Sequence, residues 1–192
     1  MRPPLDEWKK AIRREMQARL RAYAREGESA REAASQALCA AVQAHPFWRE
    51  AGTVALFAAL PSEPDLHGLW RDSVRRMVFP RIDGEVLEWV RVRDPDRELA
   101  GGKGDGGRGR LREPAGRELV PVEAVDLWVV PGLAFTASGG RLGRGGGYYD
   151  RALAGRSAGS RAVGVCFSFQ LLGEAELPLE PHDQRVDAVL WG

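Results

Sequence analysis

Cysteine is nearly absent from this chain: Cys39 and Cys166 are the two cysteines in 192 residues, and they lie far apart. Without metal-ligand spacing, and set in an Ala-rich stretch and an apolar run, they suit small core residues better than redox partners or metal ligands. Lysine is also scarce. Of 28 basic residues only Lys9, Lys10 and Lys103 are lysines, so a lone arginine says little about a ligand. No apolar run reaches membrane-spanning length, and no signal-like apolar region precedes the charged LDEWKKAIRRE. A cytoplasmic, reduced location is expected. The net charge of +1 leaves no global field to attract nucleic acid or a membrane, so any anion site must be local. There is no G-x-x-x-x-G-K-[ST] phosphate loop and no internal repeat.

What is present reads as one domain spanning 1–192, since a chain of this length has little room for a second core. Leu5, Trp8, Ile12, Met16, Leu20 and Tyr23 recur at steps of three or four, which predicts an amphipathic helix over 5–24. Lys9 and Arg13 project from one flank of it, and spacing alone makes that flank a solvated face. Ser29 and Glu32 have the form of a capping box opening a second helix, which Pro46 stops. TVALFAA (53–59) suits a buried strand, and Leu66, Leu69, Trp70, Val74 and Met77 fall at helical steps. MVFPRI and EVLEWVRV read as strands around an Asp83-Gly84 hairpin turn. Residues of about 94–118 are rich in glycine and charge, with almost nothing to bury. They form a long loop, either disordered or a lid over a ligand. VDLWVVPGLAF is the strongest buried strand; a short helix from Tyr148, the strand RAVGVCF and a closing strand follow. Apolar strands alternating with helices predict an α/β architecture, its largely parallel central sheet covered by helices on both faces.

The stretch GRLGRGGGYYDR (140–151) holds five glycines, three arginines, two tyrosines and an aspartate. Strand, glycine-rich loop and helix, in that order, build phosphate sites: bare backbone N–H groups approach the oxygens, and the helix start adds partial positive charge. Arg141 and Arg144 can add charge-assisted bonds, and Asp150 can hold Mg²⁺ bridging the phosphates. Tyr148 and Tyr149 can stack on a ring or donate to a polarised carbonyl. The plain alternative is a mobile turn capped by a helix, with Tyr148 in the core.

VDLWVVPGLAFTASGGRLGRGGGYYDRAL, however, resembles the signature of the 5-formyltetrahydrofolate cyclo-ligase (methenyltetrahydrofolate synthetase) family, D-L-x-x-x-P-G-x-x-F-x-x-x-G-x-R-L-G-x-G-x-G-Y-Y-D. Lys9 and Arg13, PSEPD, VFPRI, LREP and LPLEPHDQRVDAVL continue the resemblance in order along most of the chain. It implies MgATP-dependent cyclisation of 5-formyltetrahydrofolate to 5,10-methenyltetrahydrofolate, with ADP and phosphate released. The formyl oxygen of an N-formyl amide is a poor leaving group; phosphorylating it lets N10 attack the carbon and phosphate depart. Such an enzyme chiefly aligns two ligands and neutralises phosphoryl charge.

By motif position, the resemblance implies a nucleotide site of Lys9, Arg13, Arg141, Leu142, Gly143, Arg144, Gly145, Gly146, Gly147, Tyr148 and Tyr149. Glu63, with Arg144, Gly145, Gly146, Gly147 and Tyr148, would face the folate. Arg144, Tyr149 and Asp150 would carry the chemistry, and Asp150 and Asp183 the Mg²⁺, while Asp187 reads as structural. Two departures stand out. Gly109 occupies a position where some relatives place an aromatic against the folate, so either another aromatic such as Trp89 covers the ligand or the grip on the substrate is weaker. Gly146 replaces a lysine of some relatives. The expected partners are ATP and 5-formyltetrahydrofolate, with no nucleic acid and no membrane, and the protein is expected to be a monomer. The rival readings are another ATP-using or phosphate-binding enzyme on the same scaffold, and an RNA-binding module with GGKGDGGRGR as its basic arm. That arm lacks an aromatic for base stacking.

Overall fold

Each strand of the central sheet carries apolar residues on both faces, and two layers of helices supply what those faces pack against. A computed structural model describes residues 4–70, 74–101 and 111–192. Helices α1 (Leu5–Glu26) and α2 (Glu28–Ala44) meet at Gly27. Next comes α3 (Pro46–Glu50), with proline in its first turn, where the missing N–H costs nothing. Then follow β1 (Thr53–Ala55), α4 (His67–Trp70), β2 (Arg76–Asp83), β3 (Val86–Val92), α5 (Pro95–Glu98), β4 (Leu99–Gly101) and β5 (Arg112–Pro114). The second half holds β6 (Leu127–Val130), β7 (Ala134–Thr136), β8 (Arg141–Leu142), α6 (Tyr148–Ala154), β9 (Arg161–Cys166), β10 (Leu171–Leu172) and β11 (Ala188–Trp191).

Six strands form the main sheet in the order β11-β9-β6-β1-β2-β3. All neighbours are parallel except β2 and β3, which form an antiparallel hairpin at one edge. The alternation along β6 shows how the layers form. Leu127 and Val129 join Cys39, Val42, Trp48 and Leu69 of α2, α3 and α4. Trp128 and Val130 face the opposite way, with Ala152 and Leu153 of α6. Helices therefore cover both faces, as the sequence predicts. Both cysteines are buried and free, and burial pushes the Cys166 thiol up to about 12.

A smaller sheet, β10-β7-β8, sits beside the main one. Ile12, Met16 and Leu20 of α1 pack onto it against Leu133, Ala134, Leu142 and Phe167. This docking sets Arg13 beside the glycine-rich loop that follows β8, and Lys9 against Glu180 and Asp183.

Several local expectations need correcting. No side-chain cap forms at the start of α2, where Gly27 is the capping residue and Ser29 already lies within the helix. TVALFAA is a strand only over Thr53–Ala55. The helical steps of 66–77 hold only in part: α4 carries Leu69 and Trp70, residues 71–73 lie outside the described residues, Val74 is fully exposed and Met77 is a core residue of β2. The hairpin turn is Gly84-Glu85 rather than Asp83-Gly84, because Asp83 already pairs with Val86. The 94–118 loop contains α5 and an antiparallel ribbon of β4 and β5. Residues 102–110 of it lie outside the described residues, and the question of a lid goes with them.

Candidate active site

Just beyond the carboxyl ends of β1 and β6 the chain leaves the sheet at Phe57-Ala58 and Pro131-Gly132, and these residues wall a cavity of about 380 Å³. In parallel α/β sheets this is where ligands bind. Pro80, Ile82 and Leu87 of the β2–β3 hairpin, with Leu111, make its apolar side. The loop from β8 to α6 makes its polar side. Gly145 and Gly147 adopt φ of 103° and 66°, values that side chains with a Cβ resist. At Gly147 an added Cβ would also stand 2.6 Å from Arg151 Nη1. Arg151 holds the loop closed by donating to the carbonyl of Gly146 at 2.9 Å and to that of Glu85. Arg13 secures it from α1, Nε to the Gly143 carbonyl at 3.1 Å. With seven residues, α6 offers only a short dipole.

Two ion pairs dominate the polar side. Arg141, 4% exposed, donates through Nη2 to Asp150 Oδ1 at 2.9 Å and through Nη1 to the Pro131 carbonyl at 3.3 Å. Its Nε is buried without an acceptor. Arg144 donates through Nε and Nη2 to Glu63 Oε1 at 3.3 and 2.8 Å. Oε2 of Glu63 accepts the Leu60 N–H at 3.0 Å, so both its oxygens are engaged. The Tyr149 ring lies under the Arg141 guanidinium at 5.7 Å. Burial and the Glu63 charge push its phenol pKa far upward, so it stays protonated. The Tyr148 hydroxyl donates to the Gly84 carbonyl at 3.2 Å, tying the loop to the hairpin turn.

Asp150 and Asp183 test whether a divalent cation fits. Asp150 uses Oδ1 alone, for Arg141 and for the Gln184 N–H at 3.2 Å, leaving Oδ2 without a protein donor among the described residues. The Gln184 contact also brings the 183 segment against Asp150. Asp183 Oδ2 accepts from Lys9 Nζ at 2.5 Å and from the Glu180 N–H at 2.6 Å. Burial works against ionising Asp183, yet the Lys9 hydrogen bond and the Glu180 amide outweigh it and hold its carboxyl below the ordinary range. Glu180, His182 and Asp183 place ligand atoms within 4.8 Å of one another. The Asp150 and Asp183 carboxylates are hard oxygen donors, with Asp150 Oδ2 open, and suit Mg²⁺ completed by phosphate and water.

Of the residues expected at the site, Glu63, Arg141, Gly143, Arg144, Gly146, Gly147, Tyr148, Tyr149 and Asp150 line one cavity. Leu142 does not: it is 2% exposed and packs beneath α1. Lys9 is not a solvated residue; it is buried and bonded to Asp183 and to Glu180 Oε2 at 2.6 Å. Lys10, by contrast, pairs with Glu7 at the surface. Trp89 is not a ligand cover: it is 2% exposed, edge-on to Trp128 at 4.8 Å and to Tyr149 at 6.1 Å. Gly109 lies outside the described residues, as do Lys103, Arg108 and Arg110 of the supposed RNA arm. Asp187 is structural, accepting from Arg156 and from the Ala162 N–H, both at 2.7 Å. Sequence reasoning missed Glu180, Arg112 and Arg151. All three sit inside quoted motifs, LPLEPHDQRVDAVL, LREP and YYDRAL, but nothing local marks their partners.

Comparison with known proteins gives a consistent result. The model of the 5-formyltetrahydrofolate cyclo-ligase family matches residues 5–192. The chain is 27% identical over 197 residues to the mouse 5-formyltetrahydrofolate cyclo-ligase, covering 95% of this chain and 93% of that protein. A mitochondrial 5-formyltetrahydrofolate cyclo-ligase of Arabidopsis thaliana is 41% identical over 76 residues, 35% of this chain and 27% of the plant protein. The solved structure of Aquifex aeolicus 5,10-methenyltetrahydrofolate synthetase superposes with a TM-score of 0.77 at 31% identity, covering 95% of this chain and 89% of that one.

Proposed function

This chain belongs to the 5-formyltetrahydrofolate cyclo-ligase family, and we propose that the cavity at the carboxyl end of its sheet is where ATP and 5-formyltetrahydrofolate meet. It is a ligase of folate one-carbon metabolism, forming 5,10-methenyltetrahydrofolate. The observation that carries the site assignment is a single cavity with arginines and glycine amides on one side and an apolar wall on the other.

The loop of residues 141–147 supplies backbone N–H groups and two guanidiniums to the triphosphate. Arg141 is already aligned by Asp150 and Pro131, and its unpartnered Nε is suited to a phosphate oxygen. Asp150 and Asp183 would hold Mg²⁺, which supplies charge neutralisation at the phosphate oxygens. Lys9 reaches those phosphates only by leaving Asp183 and Glu180; where it stands, it orients the Asp183 carboxylate. Glu63 pairs with the pterin amino and ring N–H groups once Arg144 has left it for the triphosphate. The formyl oxygen attacks the γ-phosphorus as the bond to ADP breaks. N10 then bonds to the formyl carbon and loses its proton, and the C–O bond breaks to release phosphate. Tyr149, locked protonated, can donate to developing negative charge but does not act as a base. The protein works as a monomer in the cytoplasm, and no helix among the described residues is long and apolar enough to cross a membrane.

The test is direct. Purified protein given 5-formyltetrahydrofolate should generate the near-ultraviolet absorbance of the methenyl product only when Mg²⁺ and ATP are both present. Product formation at the same rate without ATP, or none with it, would overturn the reading.

A further inference from the structure

We propose that Arg112 binds a carboxylate of the glutamate tail of the folate substrate and so sets how strongly the enzyme prefers the glutamylated form. This deepens the functional reading above and rests on it.

Charge pairing inside the cavity is the starting point. Among its described lining residues the acids are Glu63 and Asp150, and the cations are Arg112, Arg141 and Arg144. Arg141 is committed to Asp150 and Arg144 to Glu63. The Arg112 side chain makes no hydrogen bond or ion pair among the described residues. A half-buried guanidinium beside Leu111, with no acid among the described residues to balance it, favours an incoming anion.

Its position argues which anion. Arg112 does not belong to the loop that serves the triphosphate; it stands on β5. That strand is pinned to the hairpin by Glu113, which accepts the Ile82 N–H at 3.0 Å, and by the Gly116 carbonyl, which accepts from Arg81 at 2.7 Å. Pro80, Ile82, Leu87 and Leu111 line the same cavity and carry no charge. A ligand that puts rings on this apolar wall and a carboxylate on Arg112 has the order of parts found in the folate: pterin, aminobenzoyl, glutamate. A guanidinium matches a carboxylate with two parallel N–H bonds.

The experiment compares 5-formyltetrahydrofolate with 5-formyltetrahydropteroate, which lacks the glutamate, in wild type and in Arg112→Ala and Arg112→Lys. Losing a hydrogen bond to a charged group costs roughly tenfold or more in affinity. Wild type should therefore bind the folate ~10-fold more tightly than the pteroate compound. Arg112→Ala should erase that preference by weakening the folate alone, with the KM for MgATP unchanged, and Arg112→Lys should restore part of it. Equal weakening of both compounds, a raised KM for MgATP, or an unchanged preference would each overturn the proposal. Calorimetric binding without ATP gives the same comparison independently of turnover. Intact discrimination in a protein that makes no methenyl product would contradict the functional reading and leave Arg112 in place.

Discussion

Asp150 serves two partners with one oxygen and keeps the other unshared. The buried Arg141 fixes its orientation, and the Gln184 N–H ties it to the segment carrying Asp183. Asp150→Asn preserves an acceptor for both donors but removes the charge that a cation needs. Methenyl formation should fall by about two orders of magnitude, while the far-ultraviolet circular dichroism stays native; unchanged turnover at saturating MgATP would remove the metal role. Glu63 and Arg144 make a second test, because each currently occupies the other. In Glu63→Gln the guanidinium loses its ionic partner, so the KM for ATP should drop or hold while the KM for folate rises ~10-fold or more. Parallel rises in both would mean that the pair acts only as structure. The loop residues were legible in the sequence because phosphate chemistry concentrates glycine, arginine and carboxylate in one short run. The ion pairs were not. Lys9 and Asp183 are 174 positions apart, and no periodicity or spacing links two residues that only the docking of α1 brings together.

At the scale of elements, that docking rests on apolar packing and on a buried charge cluster at its edge. Burial disfavours the Lys9 charge, but its hydrogen bonds to the Asp183 and Glu180 carboxylates outweigh it and raise its pKa above 10.5. Lys9 therefore stabilises the fold fully below pH 10.5, and that part is lost as pH rises through its higher folded value. For Asp183, whose carboxyl is held below 3.8, the stabilisation is present above that pH and is lost as pH falls through the lowered folded value. Lys9→Met should cost about 3 kcal/mol near neutrality by leaving two carboxylates unpaired. The cost should shrink as acid protonates Asp183; a loss of stability that is flat with pH in urea titrations would refute the pairing. A second element-scale test concerns Gly139, in the turn between β7 and β8 with φ of 91°. A Cβ there would stand 2.1 Å from the Val186 carbonyl oxygen, which leads into β11. Gly139→Ala should destabilise by at least ~2 kcal/mol, read as a lower urea midpoint.

Elements with long apolar runs or clean periods were legible: α1, the β2–β3 hairpin, and the strands β6 and β9. Met77 fits two patterns, a helical step from Trp70 and the first residue of the strand MVFPRI, and its place beside Val54 in the sheet decides for the strand. The ribbon of β4 and β5 escaped because its strands are three residues each and one of them buries little apolar surface. Backbone pairing with a partner ten or more positions away leaves no local pattern.

Over the whole molecule, the parallel sheet opens a cavity at its carboxyl edge, α1 buttresses the loop from one side, and the hairpin and ribbon supply an apolar wall from the other. The alternation of apolar strands and helices made the α/β architecture legible, while the packing details are set by contacts between residues far apart in the chain. The proposed function turns on one chemical event, the transfer of the terminal phosphoryl group of ATP to the formyl oxygen. Substrate carrying ¹⁸O in the formyl group tests it most directly. Turnover with MgATP should place one ¹⁸O in each inorganic phosphate released, because the formyl oxygen leaves bonded to phosphorus. Unlabelled phosphate, with the isotope recovered in water, would contradict the account.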